Sequence, residues 1–124
     1  MKDILVKSKV FGVNTWVVGF PKYNWVGNEG FKLEEVATKE GAYYMIDPKT
    51  ISFDTNLKDS KGNNIFENDI IEITYEGESP KKWVVSYNKI MGLCRLKMYE
   101  GHGERMIFPL NKRAVIIGNI KDKN

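Results

Sequence analysis

The sequence predicts a mainly β protein, and three observations support this. Short segments rich in β-branched and aromatic residues recur along the 124 residues. Turn residues such as Gly, Pro, Asn and Asp separate these segments, so that each is only as long as a strand. The hydrophobic fraction of 42% and the charged fraction of 28% are typical of an ordinary globular protein with a compact core.

The N-terminal lobe, residues 1–55, is predicted to be β-rich with at most one short helix. Its predicted strands cover residues 4–7, 15–19 and 42–46. The segment 31–41 allows two interpretations. Glu35 and Lys39 stand four positions apart, which favours a short helix, whereas the alternation of Phe31 and Leu33 also suits a strand.

A turn-rich stretch links this lobe to the next one. Asp47 and Pro48 initiate a turn, because proline fixes its own φ and moves the preceding residue out of the helical region. Residues 50–53 alternate as a strand does, and 54–56 form the next turn. Two core anchors, Leu57 and residues 65–66, flank an exposed polar turn over 58–64, and residues 67–69 start the following strand.

The C-terminal lobe, residues 56–124, is predicted to contain five strands. They cover residues 70–75, 82–87, 92–98, 105–108 and 114–120, with short connections that carry Gly, Pro and Asn. This regular spacing predicts a small SH3-like five-stranded antiparallel barrel. The two lobes are expected to pack closely, and a single domain is the alternative.

The central stretch resembles the YopX family of phage and prophage proteins. DPKTI at 47–51 and NLKDSKGNNIFENDI at 56–70 are similar to the family patterns DPxTI and TGLKDKNGKxIYEGDIV. VIIGNI at 115–120 resembles the family's VIGNI, and WVVG at 16–19 resembles its W-V-x-G segment. The resemblance implies a phage or prophage origin but no activity. Its motif residues here are Asp47, Pro48, Asn56, Leu57, Asp59, Gly62, Ile65, Asn68, Asp69, Gly118 and Asn119.

Asn56 and Asn68 stand where the family pattern has glycine. Asparagine is the non-glycine residue that most readily adopts a positive φ. Both positions are therefore predicted to have left-handed backbone, and the motif is interpreted as shaping the chain and only secondarily as binding anything.

No catalytic, cofactor or metal site is predicted, and the protein is expected not to be an enzyme. Cys94 lies in an apolar alternation, which favours packing, and His102 lies in a glycine-flanked loop. A Cys94–His102 pair is conceivable but lacks a third, orienting group. If Asp59 were the first ligand of a calcium loop, Gly62 would stand at the fourth position and not at the sixth.

The charge balance permits nucleic-acid binding without favouring it. The net charge is +3 and the pI about 8.9, with three arginines and scattered lysines. The candidate nucleic-acid or partner surface is Lys81, Lys82, Trp83 and Tyr87, where basic residues adjoin aromatic ones. Trp83, Val85 and Tyr87 share one face of a strand, however, and such a face is more often core.

We therefore expect a non-enzymatic phage or prophage accessory protein that acts by protein–protein binding or self-assembly, as a homo-oligomer joined through sheet edges. The alternative is a small nucleic-acid-binding module on the barrel face, with an affinity that falls steeply with salt. No small-molecule substrate is evident. The apolar runs are too short to cross a bilayer, and residues 1–7 lack a secretory signal, so a location in the host cytoplasm is expected.

Overall fold

The computed structural model describes residues 5–74, 77–88, 93–98, 104–106 and 113–122. This part of the chain is mainly β, as predicted, with two antiparallel sheets and two short 3-10 turns but no α-helix. The chain divides into two compact units, Met1–Phe53 and Asp54–Asn124. No helix among the described residues has the length and hydropathy that a membrane span requires.

The first unit is an antiparallel sheet in which the strand order is β4-β3-β2-β1-β5. An isolated bridge between Val10 and Ile46 joins the end of the first strand to the end of the fourth. Four strands are therefore linked in a ring. The sequence predicted a closed, barrel-like sheet only for the second lobe. The strands are β1 (Val6–Lys9), β2 (Trp16–Trp25), β3 (Phe31–Ala37), β4 (Tyr43–Met45) and the start of β5 (Ser52–Lys58).

The core of the first unit consists of three fully buried residues, Val6, Val36 and Ile46. Half-buried residues pack around them, and Leu33 of β3 is one of these. The helix considered for residues 31–41 is wrong, because 31–37 form β3 with β2 on one side and β4 on the other. Ladder hydrogen bonds on both sides outweigh the few tenths of a kcal/mol that one i,i+4 ion pair gives a helix.

Gly19 marks the point at which β2 leaves β1 and continues beside β3. It pairs with Val6, and its next neighbour, Phe20, pairs with Ala37. A Cβ atom on Gly19 would overlap the carbonyl oxygen of Ala37 and lie 2.7 Å from Val36 Cγ1. The glycine of the WVVG segment is therefore required by the close approach of two strands.

Gly19→Ala is expected to destabilise the first unit by about 1–3 kcal/mol, because backbone must move to accept the added methyl group. Thermal unfolding followed by circular dichroism measures the effect, at roughly 4–8 °C for each kcal/mol. Val18→Ala, at the neighbouring position whose side chain is exposed, is the control and should change the melting temperature less. Equal melting temperatures for Gly19→Ala and the wild type would contradict the close approach.

The second unit contains the end of β5, which pairs with β6 (Asn64–Phe66), and a five-stranded antiparallel sheet of order β10-β9-β8-β7-β11. Its strands match the five predicted ones to within two residues at their described ends. Closure of this sheet into an SH3-like barrel stays a prediction. The strands are β7 (Asp69–Ile73), β8 (Lys81–Asn88), β9 (Leu93–Met98), β10 (Glu104–Met106) and β11 (Ala114–Asn119).

The core of the second unit is larger than that of the first. Its buried members come from β6, β7, β8, β9 and β11, and the half-buried Leu57 and Ile116 pack against them. Ile65, which was predicted as a core anchor, is fully buried. The buried members are Ile65, Ile71, Ile73, Trp83, Val85, Leu96 and Ala114.

Two features of the central stretch differ from the prediction. Residues 54–56 do not end the strand but form a bulge within β5, where the pairing with β6 shifts between Asp54 and Leu57. The turn over 58–64 is not wholly exposed, because Asp59 is buried. The left-handed backbone is confirmed, with φ of 63° at Asn56 and 69° at Asn68. Thr55 and Asn56 lie between the paired positions of the bulge, and the positive φ at Asn56 favours Gly or Asn.

Candidate functional site

The DPKT segment holds its own turn against β1. The Asp47 carboxylate accepts a hydrogen bond of 3.0 Å from the backbone N–H two residues later, which caps the 3-10 turn that begins at Pro48. The buried Thr50 hydroxyl donates to the Asp47 carbonyl at 2.7 Å and accepts the Lys9 N–H at 2.8 Å. It also lies 2.9 Å from Ser8 Oγ. These polar groups bind backbone and neighbouring hydroxyls within the fold.

Asp59 performs a similar role in the second unit. One carboxylate oxygen accepts the N–H groups of Lys61 and Asn63, each at 2.9 Å, within the tight turn between β5 and β6. The other oxygen accepts the Ile116 N–H of β11 at 3.3 Å. Gly62, at φ 84°, supplies the left-handed residue of this turn. The carboxylate therefore ties the turn to the outer edge of β11.

Two opposing effects determine the pKa of the Asp59 carboxyl group. Burial alone raises the pKa of its carboxyl group. Hydrogen bonds from the backbone N–H groups of Asn63, Ile116 and Lys61 stabilise the ionised form and leave the pKa below the ordinary value of 3.8. A carboxylate that is ionised and already accepts three backbone hydrogen bonds is poorly suited to act as a general acid or base near neutral pH.

Asp69 and Asn119 form a buried polar pair between β7 and β11. One oxygen of Asp69 accepts the Phe66 N–H at 2.8 Å, and the other accepts the Asn119 side-chain amide at 2.9 Å. The Asn119 side-chain oxygen accepts the Lys121 N–H at 2.9 Å. Gly118 lies at the adjoining register shift of β11. In the described part of the chain, no three His, Cys, Asp or Glu residues are grouped so that they could hold a metal ion.

The predicted surface of Lys81, Lys82, Trp83 and Tyr87 does not form a single surface. Both lysines are exposed, and Lys81 Nζ lies 3.9 Å from a Glu78 carboxylate oxygen. Trp83 is only 3% exposed and belongs to the core, so it is not available to stack on a base. The side chains of Tyr87 and Cys94, together with His102, lie outside the described residues.

A different group of aromatic residues is exposed, on the hairpin formed by β2 and β3. Tyr23, Trp25 and Phe31 are 52%, 64% and 69% exposed. Tyr23 pairs with Leu33 and Trp25 pairs with Phe31, so all four side chains share one face of the hairpin. Leu33 packs against the core of the first unit. The face of the hairpin that contacts the core therefore extends beyond the core, where its aromatic side chains are exposed.

We call residues 22–33 of this hairpin the aromatic arm. The rings of Trp25 and Phe31 meet edge to face, with centroids 5.2 Å apart and planes at 70°. The loop between them contains a 3-10 turn over Gly27–Glu29, and a 2.8 Å hydrogen bond joins the Val26 N–H to the Gly30 carbonyl. The closed loop and the edge-to-face ring pair favour this arrangement of the aromatic arm before anything binds it.

The charges beside the aromatic arm are paired with each other. Lys22 Nζ lies 3.5 Å from the Glu35 carboxylate, and Lys32 forms an ion pair with Glu29. Residues 22–35 contain two lysines and three glutamates, which leaves a formal charge of −1. Residues 22–35 are therefore close to neutral as a whole.

The aromatic arm was missed in the sequence, although a signal for part of it was present. YNW and FKL alternate on either side of the loop VGNEG, a pattern that predicts a hairpin with Tyr23, Trp25, Phe31 and Leu33 on one face. No comparable sequence pattern predicts that this face is exposed. Among the described residues, β1 pairs with residues 16–19 of β2, and the far half of β2 pairs with β3.

No family model matches the chain, and no curated protein matches it.

Proposed function

We propose that this is a non-enzymatic binding protein that docks a protein partner through the aromatic arm. The observation that carries the proposal is the exposure of Tyr23, Trp25 and Phe31 on the core-facing side of the hairpin. Tryptophan and tyrosine are enriched among the residues that dominate the energy of protein interfaces. The pre-formed loop and ring pair reduce the entropy lost on binding.

The size of the uncovered surface also supports docking. A buried aromatic side chain removes about 150–250 Å² from water, so these three rings expose on the order of 400 Å². The largest apolar patch of a typical monomer covers about 300–600 Å² and is often functional. Three rings on one face of a hairpin form a surface of this class, whereas singly scattered apolar residues do not.

Electrostatics favour a protein over a nucleic acid as the partner. Nucleic-acid affinity comes largely from cations that neutralise phosphates. Over residues 22–35, both lysines already pair with glutamates, and the formal charge is −1. The alternative surface near Lys81 lacks Trp83 as a stacking partner, since that ring is buried. An aromatic and nearly neutral surface suits an apolar protein surface better than a polyanion.

The family resemblance supports a phage or prophage accessory role for the proposed binding protein. The motif carboxylates Asp47, Asp59 and Asp69 each accept backbone N–H groups within their own unit. Such contacts stabilise a fold without supplying a reacting group, and this agrees with a protein that acts by binding.

The test compares partner capture by the wild type and by Trp25→Ser/Phe31→Ser, using lysates of host cells that carry the phage or prophage. We expect the double variant to lose at least tenfold of the captured partner, because interface hot spots contribute about 2 kcal/mol or more each. The matched control is Phe11→Ser, which removes a phenylalanine that is 67% exposed outside the aromatic arm. It should capture the partner as the wild type does.

Two outcomes would contradict the proposal. One is a double variant that stays folded by circular dichroism and retains its partner. The other is binding of labelled single- or double-stranded nucleic acid that falls steeply with salt and survives the loss of both rings. The second outcome would favour the nucleic-acid-binding module.

A further inference from the structure

We infer that the partner of the aromatic arm presents an extended segment with alternating apolar side chains, and that this segment adds to the sheet as a strand beside residues 31–33 of β3. The inference rests on the proposed function, because it names the class of partner for the same surface. Three observations lead to it, namely the open edge of β3, the direction of the backbone groups along that edge and the area of the exposed rings.

The outer edge of β3 is covered along only part of its length. β4 pairs with residues 35–37, and the Ile46 N–H still donates to the Glu34 carbonyl at 3.0 Å. The chain then leaves this line, because a 3-10 turn begins at Pro48. No other described segment pairs with residues 31–33 on the side away from β2. The place in line with β4 is therefore open to a strand from another molecule.

The hydrogen-bond pattern of the hairpin directs backbone groups towards this open edge. The Val26 N–H donates to the Gly30 carbonyl at 2.8 Å, so the next pair, Trp25 and Phe31, is one without mutual hydrogen bonds. The N–H and C=O groups of such a residue point away from the paired strand. The same alternation applies two residues later, at Leu33. Phe31 and Leu33 therefore each present one N–H and one C=O to an added strand.

An added strand would also place side chains on the face that carries the rings. Residues directly opposite each other in a ladder have their side chains on the same face, and successive side chains alternate between the two faces. Every second side chain of the partner segment would therefore lie beside Phe31, which is 69% exposed, and Leu33. In this mode, main-chain hydrogen bonds supply affinity and alternate side chains supply specificity. A helix laid on the rings would leave the backbone groups of the edge without a partner.

The area of the exposed rings fits a short segment better than a folded domain. The rings expose on the order of 400 Å², about half of the roughly 800 Å² that each partner buries in a standard interface between folded proteins. A single strand of about five residues is about 17 Å long and covers one edge and the rings beside it. Its ladder hydrogen bonds add to the contact that the rings provide.

Selection from a random library of linear peptides, roughly twelve residues long and displayed on yeast, against the intact chain tests the inference. The enriched peptides should carry apolar or aromatic residues at every second position over about five residues, with no proline inside that stretch. Trp25→Ser/Phe31→Ser should bind the best of these peptides at least tenfold more weakly than the wild type does. Phe11→Ser, which is altered outside the aromatic arm, should bind it with unchanged affinity.

Two measurements on the best peptide report the strand pairing itself. Amide hydrogen exchange followed by NMR should slow at least tenfold at Phe31 and Leu33 when the peptide binds. It should change less at Tyr23 and Trp25, whose N–H groups point to the opposite edge of the hairpin. Methylation of the peptide's backbone nitrogens, one at a time, should weaken binding at least tenfold at every second position and little at the positions between.

The inference is overturned if no peptide is enriched, or if the enriched peptides bind the double variant as well as the wild type. Apolar residues spaced by three and four positions also overturn it, because that spacing indicates a bound helix. Unchanged exchange at Phe31 and Leu33 overturns it as well. The proposed function fails separately. If any of these results is found while capture from lysates still requires Trp25 and Phe31, the aromatic arm binds a protein but does not extend its sheet.

Discussion

Asp69→Ala is expected to destabilise the second unit by about 2–5 kcal/mol, a large share of the 5–15 kcal/mol that stabilises a typical domain. Asp69 is fully buried, and its two oxygens accept the Phe66 N–H and the Asn119 side-chain amide. Alanine removes both acceptors, and each buried donor that loses its acceptor costs about 1–3 kcal/mol. Urea unfolding monitored by circular dichroism measures the loss. Glu72→Ala, at a half-exposed position of the same strand, should cost under 1 kcal/mol.

Exchanging the two residue types of the buried pair tests the hydrogen bond between them without a loss of side-chain volume. Asp69→Asn alone places an amide donor against either the Phe66 N–H or the Asn119 amide, and should destabilise by about 2 kcal/mol. Adding Asn119→Asp restores an acceptor opposite the new amide, so the double variant should be more stable than Asp69→Asn. A double variant whose loss is the sum of the two single losses would show that the pair is not coupled.

Asp59→Asn is expected to lower stability most at neutral pH and progressively less in acid. The folded pKa of Asp59 lies below the ordinary value of 3.8, because backbone N–H groups stabilise the carboxylate against the effect of burial. A lowered folded pKa adds stability that is fully present above the unfolded pKa and is lost as the pH falls through the folded value. The asparagine variant has no such group to titrate. The stability difference between the wild type and Asp59→Asn should therefore shrink below about pH 4.

Urea unfolding at a series of pH values from 7 to 3 measures this difference. Asp54→Asn is the matched control, because asparagine keeps an oxygen that can accept the Asn56 N–H in place of the Asp54 carboxylate. Its stability relative to the wild type should be nearly unchanged at pH 7. A gap between the wild type and Asp59→Asn that stays constant down to pH 3 would contradict the role given to the ionised carboxylate.

Much of the strand architecture could be predicted because local chemistry determines it. The strands of the second unit follow β-branched and aromatic runs between turn residues, as in β7 and β11. Asn56 and Asn68 adopt the left-handed backbone that asparagine accepts more readily than most residues. In both cases the residue and its immediate neighbours carry the information.

Features that depend on distant parts of the chain could not be predicted from the local sequence. Asp59 was predicted in an exposed turn, yet it is buried because β11, more than fifty residues later, supplies the Ile116 N–H. Residues 31–37 became a strand because β2 and β4 flank them. The aromatic arm is exposed because its face extends beyond the buried residues of the first unit. Each of these outcomes depends on pairing between segments that no local pattern specifies.

The order of synthesis gives the ring of the first unit a further consequence. β1 obtains its second neighbour, and the bridge at Val10, only from residues 46–53. A nascent chain that has not yet released this segment from the ribosome leaves one edge of β1 without its partner strand. Closure then requires contact between distant residues, which is slow compared with hairpin formation. Stalled chains that end before Ile46 are therefore expected to leave the ring of the first unit open, whereas those that extend well past Phe53 allow it to close.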